Sequence, residues 1–277
     1  MSQGSSYPYC NITTDLQLAF KDIEDFAGWD TLTGFTPIGD EIISDSDQII
    51  FVAKSGYKYN SIQSAIDSIT DAASDKIYTL FVFPGEYDEA ITLKDYVDII
   101  AFNPFNTYIL RQVTDNGVPV HCNLKINIDN RQNDSTEGLY LTAASVIHIE
   151  GNVKGANASK LTCGHGIYNA STGTVIASNV NIIGGATYSY GIYNPSTGIV
   201  AVSNSNIKSR VNNPIRGGNV TLINCTLFST GNRYAIEADD TPQNVKCMNV
   251  WANTDLHSNI TNLIPGGFNV NSEVSFP

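Results

Sequence analysis

Three acidic residues late in the chain, Glu237, Asp239 and Asp240, form its densest C-terminal cluster of carboxylates. Paired carboxylates are the groups that general acid–base catalysis and glycoside hydrolysis require, and they also bind hard cations. A solvated turn between Ile236 and Val245 accounts for the same cluster without any chemistry. The three residues are therefore weak catalytic candidates only. The sequence otherwise predicts no catalytic residue, no metal site and no cofactor.

Four tyrosines form a second candidate site, for binding a glycan or a partner: Tyr168, Tyr188, Tyr190 and Tyr193. Tyr168 and Tyr193 occupy equivalent positions in an internal repeat, and each follows an isoleucine. If the isoleucines point into a core, the alternation of side chains along a strand turns both tyrosines outward. An outward ladder of aromatic rings can bind sugar rings or a neighbouring subunit. Tyrosines packed beneath a loop are an equal alternative.

The internal repeat specifies the elements that must position these residues. Residues 166–182 return 25 residues later as 191–207, with 12 of 17 aligned positions identical. Each copy lacks helical spacing and places short β-branched runs between Asn, Ser, Thr and Gly, which is typical of strands and turns. A repeat of this length without a helix fits one coil of a parallel β-helix, whereas a propeller blade needs roughly 40 residues or more.

The repeat also predicts a register. Equivalent residues one coil apart lie on adjacent strands, about 4.8 Å apart. We therefore expect Val175 to lie beside Val200 in an inward apolar column, and Asn179 to stack with Asn204 at a turn. Weaker copies of the same repeat occur before residue 166 and after residue 207. The sequence predicts about six coils between residues 110 and 255.

Composition excludes two classes of partner. A net charge of −12 without a basic stripe argues against nucleic acid and against an anionic membrane surface. No run of 18 apolar residues is present, so no membrane span is predicted. The first ten residues lack the basic and apolar parts of a signal peptide. Five cysteines without a Cys-x-x-Cys pair predict buried free thiols rather than a metal site or a disulfide framework.

The chain divides into three predicted parts. Residues 1–45 lie outside the repeat and are predicted to be a short helical adaptor or anchor segment. Residues 46–110 are predicted to contain a capping helix, at 61–71, and the first coils. Residues 111–277 are predicted to hold the remaining coils and a C-terminal cap.

One stretch carries a resemblance to a known superfamily. Residues 52–66 (VAKSGYKYNSIQSAI), 81–87 (FVFPGEY) and 91–93 (ITL) resemble the opening of pectin-lyase-like β-helix proteins, pectin methylesterases especially. The resemblance covers about 50 residues. It implies a right-handed parallel β-helix with an N-terminal capping helix. It implies no particular chemistry, because the superfamily holds lyases, hydrolases, esterases, adhesins and viral tailspikes.

The catalytic motifs of two related enzyme families are not matched. The middle-coil signatures of pectin methylesterases, which supply two aspartates and oxyanion-stabilising glutamines, have no counterpart. Fragments similar to polygalacturonase motifs occur at 164–166, 239–240 and 253–255, but their order along the chain is reversed. Three-residue matches arise readily in a chain rich in Gly, Asn and Thr. The sequence therefore favours a non-enzymatic protein.

The first hypothesis is an all-β, single-stranded, right-handed parallel β-helix that serves as a structural virion component of tailspike, fibre or decoration type. Residues 9–18 are similar to short openings of phage structural proteins. This hypothesis predicts a virion location, a homo-oligomer (a trimer), contacts with other virion proteins through residues 1–45, and a surface glycan as ligand. The alternatives are a polysaccharide-active lyase or hydrolase and an extracellular glycan-binding adhesin.

Overall fold

The computed structural model describes most of the chain after residue 47. The predicted adaptor at 1–45 and residues 266–277, at the end of the part predicted to hold the C-terminal cap, lie outside the described residues. The described ranges are 48–131, 136–156, 164–185, 189–231, 234–237, 245–253, 257–258 and 263–265.

The described residues form a parallel β-helix with three sheets, and the chain passes through the sheets in turn as it winds. From β2 to β25 each coil contributes one strand to each sheet, and β1 and β26 extend the first sheet at its two ends. The strands pair in parallel with their equivalents in the neighbouring coils. The first sheet contains β1 (Ile49–Val52), β2 (Tyr78–Val82), β5 (Val97–Ala101), β8 (His121–Lys125), β11 (Val146–Glu150), β14 (Thr174–Ser178), β17 (Ile199–Ser203), β20 (Val220–Ile223), β23 (Val245–Met248) and β26 (Leu263–Pro265).

The second and third sheets are shorter. The second contains β3 (Gly85–Tyr87), β6 (Thr107–Ile109), β9 (Asn127–Asp129), β12 (Asn152–Lys154), β15 (Asn181–Gly184), β18 (Asn206–Ser209), β21 (Thr226–Ser229) and β24 (Trp251–Ala252). The third contains β4 (Ile91–Thr92), β7 (Val113–Thr114), β10 (Leu139–Leu141), β13 (Ile167–Asn169), β16 (Ile192–Asn194), β19 (Ile215–Gly217), β22 (Ile236–Glu237) and β25 (His257–Ser258).

The predicted coil count and register are confirmed. Between residues 110 and 255 the first sheet holds the six strands β8, β11, β14, β17, β20 and β23. Val175 lies opposite Val200, and both side chains are fully buried. Ile182 likewise lies opposite Ile207 in the core. The core is thus a set of apolar columns that run along the solenoid, one residue per coil.

An asparagine ladder lies at the turn that follows the first sheet. Asn179, Asn204, Asn224 and Asn249 adopt φ values of 55°, 50°, 52° and 52°, in the left-handed region that asparagine tolerates. The Asn224 amide donates to Oδ1 of Asn204 at 3.0 Å, and the Asn249 amide donates to Oδ1 of Asn224 at 2.9 Å. The ladder gives four consecutive coils the same sharp turn, and its hydrogen bonds link the last three of them.

A short helix packs against the strands of the first coil. Helix α1 (Ile62–Ser68) buries its apolar face and contacts β1, β2 and β4. Its N-terminus is doubly capped, because Ser61 accepts from Ser64 N–H at 3.1 Å and Glu89 accepts from Ile62 N–H at 2.8 Å. The helix ends earlier than the predicted residue 71, because Ile69 already has an extended conformation.

The cysteines in the described part of the chain are free and buried, as predicted. They are Cys122, Cys225 and Cys247, and Cys10 and Cys163 lie outside the described residues. Burial raises the pKa of the Cys247 thiol to about 12 and raises that of Cys122 further still. These side chains act as small apolar groups in the core.

Candidate functional site

Three tyrosines stand in register on the outer face of the third sheet. Tyr140, Tyr168 and Tyr193 are the central residues of β10, β13 and β16, and they pair one with the next across the sheet. The residue before each of them is fully buried in the core, so the alternation of the strand turns the phenol rings outward. We call these three residues the tyrosine column.

The rings of the tyrosine column stack on one another. The ring centroids of Tyr140 and Tyr168 are 5.1 Å apart with an interplanar angle of 31°, and those of Tyr168 and Tyr193 are 4.9 Å apart at 26°. Both separations lie in the range that aromatic pairs prefer. All three residues are half-buried, so the stack presents part of its aromatic surface to solvent.

The column continues into an oppositely charged pair. Arg216 on β19 lies opposite Tyr193, and Glu237 on β22 lies opposite Arg216. The guanidinium carbon of Arg216 is 5.6 Å from the centre of the Tyr193 ring, within the range of a cation–π contact. A line of outward residues on the third sheet therefore runs from aromatic to cationic to anionic.

Two buried residues support the column from one side. His165 stacks on Tyr190, with centroids 5.3 Å apart and an interplanar angle of 20°, and it meets the Tyr168 ring edge-on at 5.5 Å. The backbone N–H of Tyr190 donates to Nδ1 of His165 at 3.0 Å. The Tyr190 hydroxyl accepts from Nη1 of Arg216 at 2.6 Å. This network holds Arg216 against the aromatic rings.

His165 is neutral at physiological pH. Burial, and secondly the positive charge of Arg216, lower the pKa of the His165 imidazole to about 4. Because Nδ1 accepts a hydrogen bond, the imidazole proton lies on Nε2. Arg216 and Glu237 thus carry the formal charges of the column, with opposite signs. The arrangement presents the outer edges of stacked aromatic rings and their phenol hydroxyls along one face of the sheet.

The structure assigns different positions to the predicted tyrosines. Tyr168 and Tyr193 lie in the outward column, whereas Tyr190 is buried behind it, with 7% exposure. Tyr188 lies outside the described residues.

Of the predicted acidic cluster, only Glu237 falls in the described part of the chain. It is half-buried and follows Arg216 in the column. Asp239 and Asp240 lie outside that part, so the cluster as a whole has no described geometry.

Sequence reasoning missed three members of the site. Tyr140 lies outside the exact repeat, but its Gly138–Leu141 segment keeps the Gly-x-Tyr pattern of Gly166–Asn169. That pattern was a usable signal. Arg216 occupies the tyrosine position in a weaker copy of the repeat. His165 precedes β13 and contacts the column only because of how the chain bends there. No comparable pattern in the sequence indicates either residue.

Two kinds of feature are absent from the residues that the structure describes. No three of their His, Cys, Asp and Glu side chains are grouped closely enough to hold a metal ion. None of their helices has the length and apolarity needed to cross a membrane.

Comparison with known proteins identifies the fold. The sequence matches no protein-family profile and no curated protein. By structure, a pectin methylesterase from carrot is similar, with a TM-score of 0.55, 11% identity, 82% of this chain covered and 79% of that one. A pectin methylesterase from Aspergillus niger has a TM-score of 0.48 with 15% identity, over 78% of this chain and 69% of that one. A protein of Geobacillus virus E2 has a TM-score of 0.43 with 11% identity, over 90% of this chain and 57% of that one. The chain thus has the parallel β-helix fold of the pectin methylesterases.

Proposed function

We propose that this protein is a non-enzymatic β-helix component of a virus particle, of tailspike, fibre or decoration type, and that it binds a surface glycan through the tyrosine column. The observation that carries the binding function is the outward stack of Tyr140, Tyr168 and Tyr193 beside Arg216. The particle assignment is supported by the sequence of residues 1–45, which lies outside the repeat and is predicted to be an anchor segment.

A glycan fits the chemistry of the column better than an apolar partner does. The faces of pyranose rings carry C–H groups that stack on aromatic rings, while their edges carry hydroxyls that need hydrogen bonds. In the tyrosine column the faces between neighbouring rings are occupied by the stack, so the column presents the outer edges of its rings together with phenol hydroxyls. Neighbouring rings in the column are 4.9–5.1 Å apart. A sugar chain lying along the solenoid can therefore contact more than one ring.

The non-enzymatic part of the proposal is supported by the composition of the middle coils. Strands β14, β17 and β20 contain no acidic residue at all, on either side of the sheet. The two-aspartate signature implied by a pectin methylesterase site is also unmatched in the sequence. Glu237, the described member of the acidic cluster, lies next to Arg216 rather than next to a second described carboxylate.

A binding assay on the full-length protein tests the proposal. We would screen the wild type against an array of neutral and uronic-acid oligosaccharides, then measure affinity for the strongest binder by calorimetry. Tyr168→Ala removes the central ring, and we expect at least a tenfold loss of affinity. Tyr108→Ala is the matched control, because Tyr108 is a half-buried tyrosine on the second sheet, and it should bind like the wild type. Equal affinity of both variants contradicts the binding site.

Two measurements test the remaining parts of the proposal. Incubation with the same oligosaccharides should release no new reducing ends and no unsaturated products. Turnover that Glu237→Gln abolishes would instead support the hydrolase or lyase alternative. Mass spectrometry of purified particles from the source should detect the chain. Its absence from particles, with glycan binding intact, would favour a cellular adhesin.

A further inference from the structure

We infer that the glycan bound by the tyrosine column is uncharged, a chain of neutral sugars without uronic acids, sulfates, phosphates or free amino groups. This rests on the proposed function and adds to it the chemical class of the ligand. A charged sugar loses water when it binds, so its site must supply opposite charges or hydrogen bonds in replacement. The placement of charged residues around the column therefore bears on which sugars can bind there.

The coils that hold most of the column carry no charge. No Asp, Glu, Lys or Arg occurs between residues 161 and 207. That range includes strands β13 to β17, which represent all three sheets, and it holds Tyr168 and Tyr193. Its one histidine, His165, is neutral at physiological pH, because its pKa is lowered to about 4 by burial and by Arg216. A sugar lying across these rings therefore meets hydroxyl, amide and apolar groups.

The described charges of the preceding coil are held elsewhere. Glu137, just before β10, is buried and accepts a hydrogen bond from Nε2 of Gln112 at 2.8 Å. Glu150 lies on the first sheet and Lys154 on the second, and each makes an ion pair with a residue one coil earlier. None of these three side chains lies on a strand of the third sheet, which carries the column.

The charges that follow the column are a pair of opposite sign. Arg216 lies opposite Tyr193, and Glu237 lies opposite Arg216, about 4.8 Å further along the sheet. The guanidinium is engaged with the aromatic cluster, because its Nη1 donates to the Tyr190 hydroxyl at 2.6 Å. An acidic sugar that approaches Arg216 meets the carboxylate of Glu237 beside it, and a basic sugar that approaches Glu237 meets the guanidinium. The pair therefore favours neither sign of charge.

The groups that the column does present suit neutral sugars. A phenol hydroxyl can both donate and accept a hydrogen bond, as the hydroxyls of a sugar do. A sugar hydroxyl that leaves water for the column thus exchanges one hydrogen bond for another. A carboxylate or ammonium group finds no uncompensated opposite charge there and loses its hydration. Selectivity therefore comes from the exclusion of charged sugars.

Matched pairs of oligosaccharides test the inference on the full-length protein. An array would present glucan, mannan and galactan backbones as uronic acids and as the corresponding C6 carboxamides, which have nearly the same shape without the charge. Glucosamine oligosaccharides and their N-acetylated forms make a second, cationic pair. We expect the uncharged member of a binding pair to bind about tenfold more tightly by calorimetry. Its affinity should change less than about twofold between about 0.02 M and about 0.5 M sodium chloride, because no ion pair is screened.

The possible outcomes separate this inference from the proposed function. Tighter binding of a charged member, or an affinity that falls steeply with salt, overturns the inference and leaves the proposed function intact. If no member of the array binds, or if Tyr168→Ala leaves the affinity unchanged, the proposed function fails and the inference fails with it.

Glu237→Gln tests the balance of charge beside the column. This substitution leaves the guanidinium of Arg216 uncompensated, so the affinity for the uronic acid should rise several-fold relative to the carboxamide and become sensitive to salt. Glu150→Gln is the matched control, because Glu150 is an exposed glutamate on the first sheet and its replacement should preserve the wild-type selectivity. Equal selectivity in Glu237→Gln and the wild type would overturn this role of Glu237. Circular dichroism verifies that both variants fold.

Discussion

His165 is a buried base beside a permanent cation, and this makes it a source of acid sensitivity. The pKa of its imidazole is about 4 in the folded protein, against an ordinary value of 6.5. Between these values the unfolded chain binds a proton that the folded chain does not bind. Stability from this group is therefore complete above pH 6.5 and is lost as the pH falls towards 4, on the order of 3 kcal/mol in total.

Replacing His165 should remove this part of the acid sensitivity. We expect the free energy of unfolding of His165→Gln to fall less than that of the wild type between pH 7 and pH 4. Urea unfolding at the two pH values measures the difference. His148→Gln is the control, because His148 is exposed on β11 and its replacement should leave the wild-type pH dependence in place. Parallel pH profiles for His165→Gln and the wild type would refute the assignment.

Asp115 illustrates what the sequence does not reveal at the scale of a residue. Its carboxylate is fully buried and accepts hydrogen bonds from Thr142 N–H at 2.9 Å, Ala143 N–H at 2.9 Å and the Ser145 hydroxyl at 2.8 Å. These donors belong to a turn of the next coil. A lone aspartate in a polar segment is ordinarily expected to be exposed. Only the three-dimensional stacking of coils brings the donors to it.

The asparagine ladder at the turn after the first sheet combines two stabilising effects, which substitution can separate. Asn224 has a φ of 52°, and its side-chain amide donates a hydrogen bond to Asn204 and accepts one from Asn249. Alanine loses these bonds and is strained in the left-handed region, so Asn224→Ala should cost about 2–3 kcal/mol. Asn224→Gly loses the bonds without the steric strain, so its cost should be about 1 kcal/mol smaller. Urea unfolding measures the loss of stability in each variant. Equal losses would mean that strain in the left-handed backbone conformation does not add to the cost of Asn224→Ala.

At the scale of elements, sequence reasoning succeeds where the repeat spacing is constant. The 25-residue spacing from Tyr168 to Tyr193 fixed the register of β13 and β16 in advance. The spacing is 28 residues from Tyr140 to Tyr168 and 23 from Tyr193 to Arg216, yet the three tyrosines and Arg216 lie opposite one another on successive strands. The segments between the strands differ in length from coil to coil, while the strands keep their pairing. Membership of the column therefore follows from strand alignment and not from residue spacing.

Each coil contacts only its neighbours, so the solenoid should tolerate the loss of one whole repeat. Deletion of residues 166–190 joins His165 to Gly191 and brings β16 into the position of β13. We expect a folded protein with the same far-ultraviolet circular dichroism band and a lower melting temperature. Its tyrosine column would contain two rings, so its affinity for an oligosaccharide should fall.

A deletion of half a repeat is the control for that experiment. Removal of residues 166–177 joins His165, which precedes a strand of the third sheet, to Ser178, the last residue of a strand of the first sheet. The apolar columns before and after the deletion would then no longer align. We expect this variant to be insoluble or unfolded. Equal behaviour of the two deletions would contradict a fold built from interchangeable coils.

The buried thiols of the core bear on the surroundings that the folded solenoid can tolerate. Cys122, Cys225 and Cys247 are free and buried, and burial raises the pKa of each thiol. Oxidation and disulfide exchange proceed through an accessible thiolate, which these positions do not supply. The described core therefore keeps one covalent structure in a reducing cell interior and in oxidising fluid outside it. A protein assembled in the first environment and used in the second would need no chemical change at these three positions.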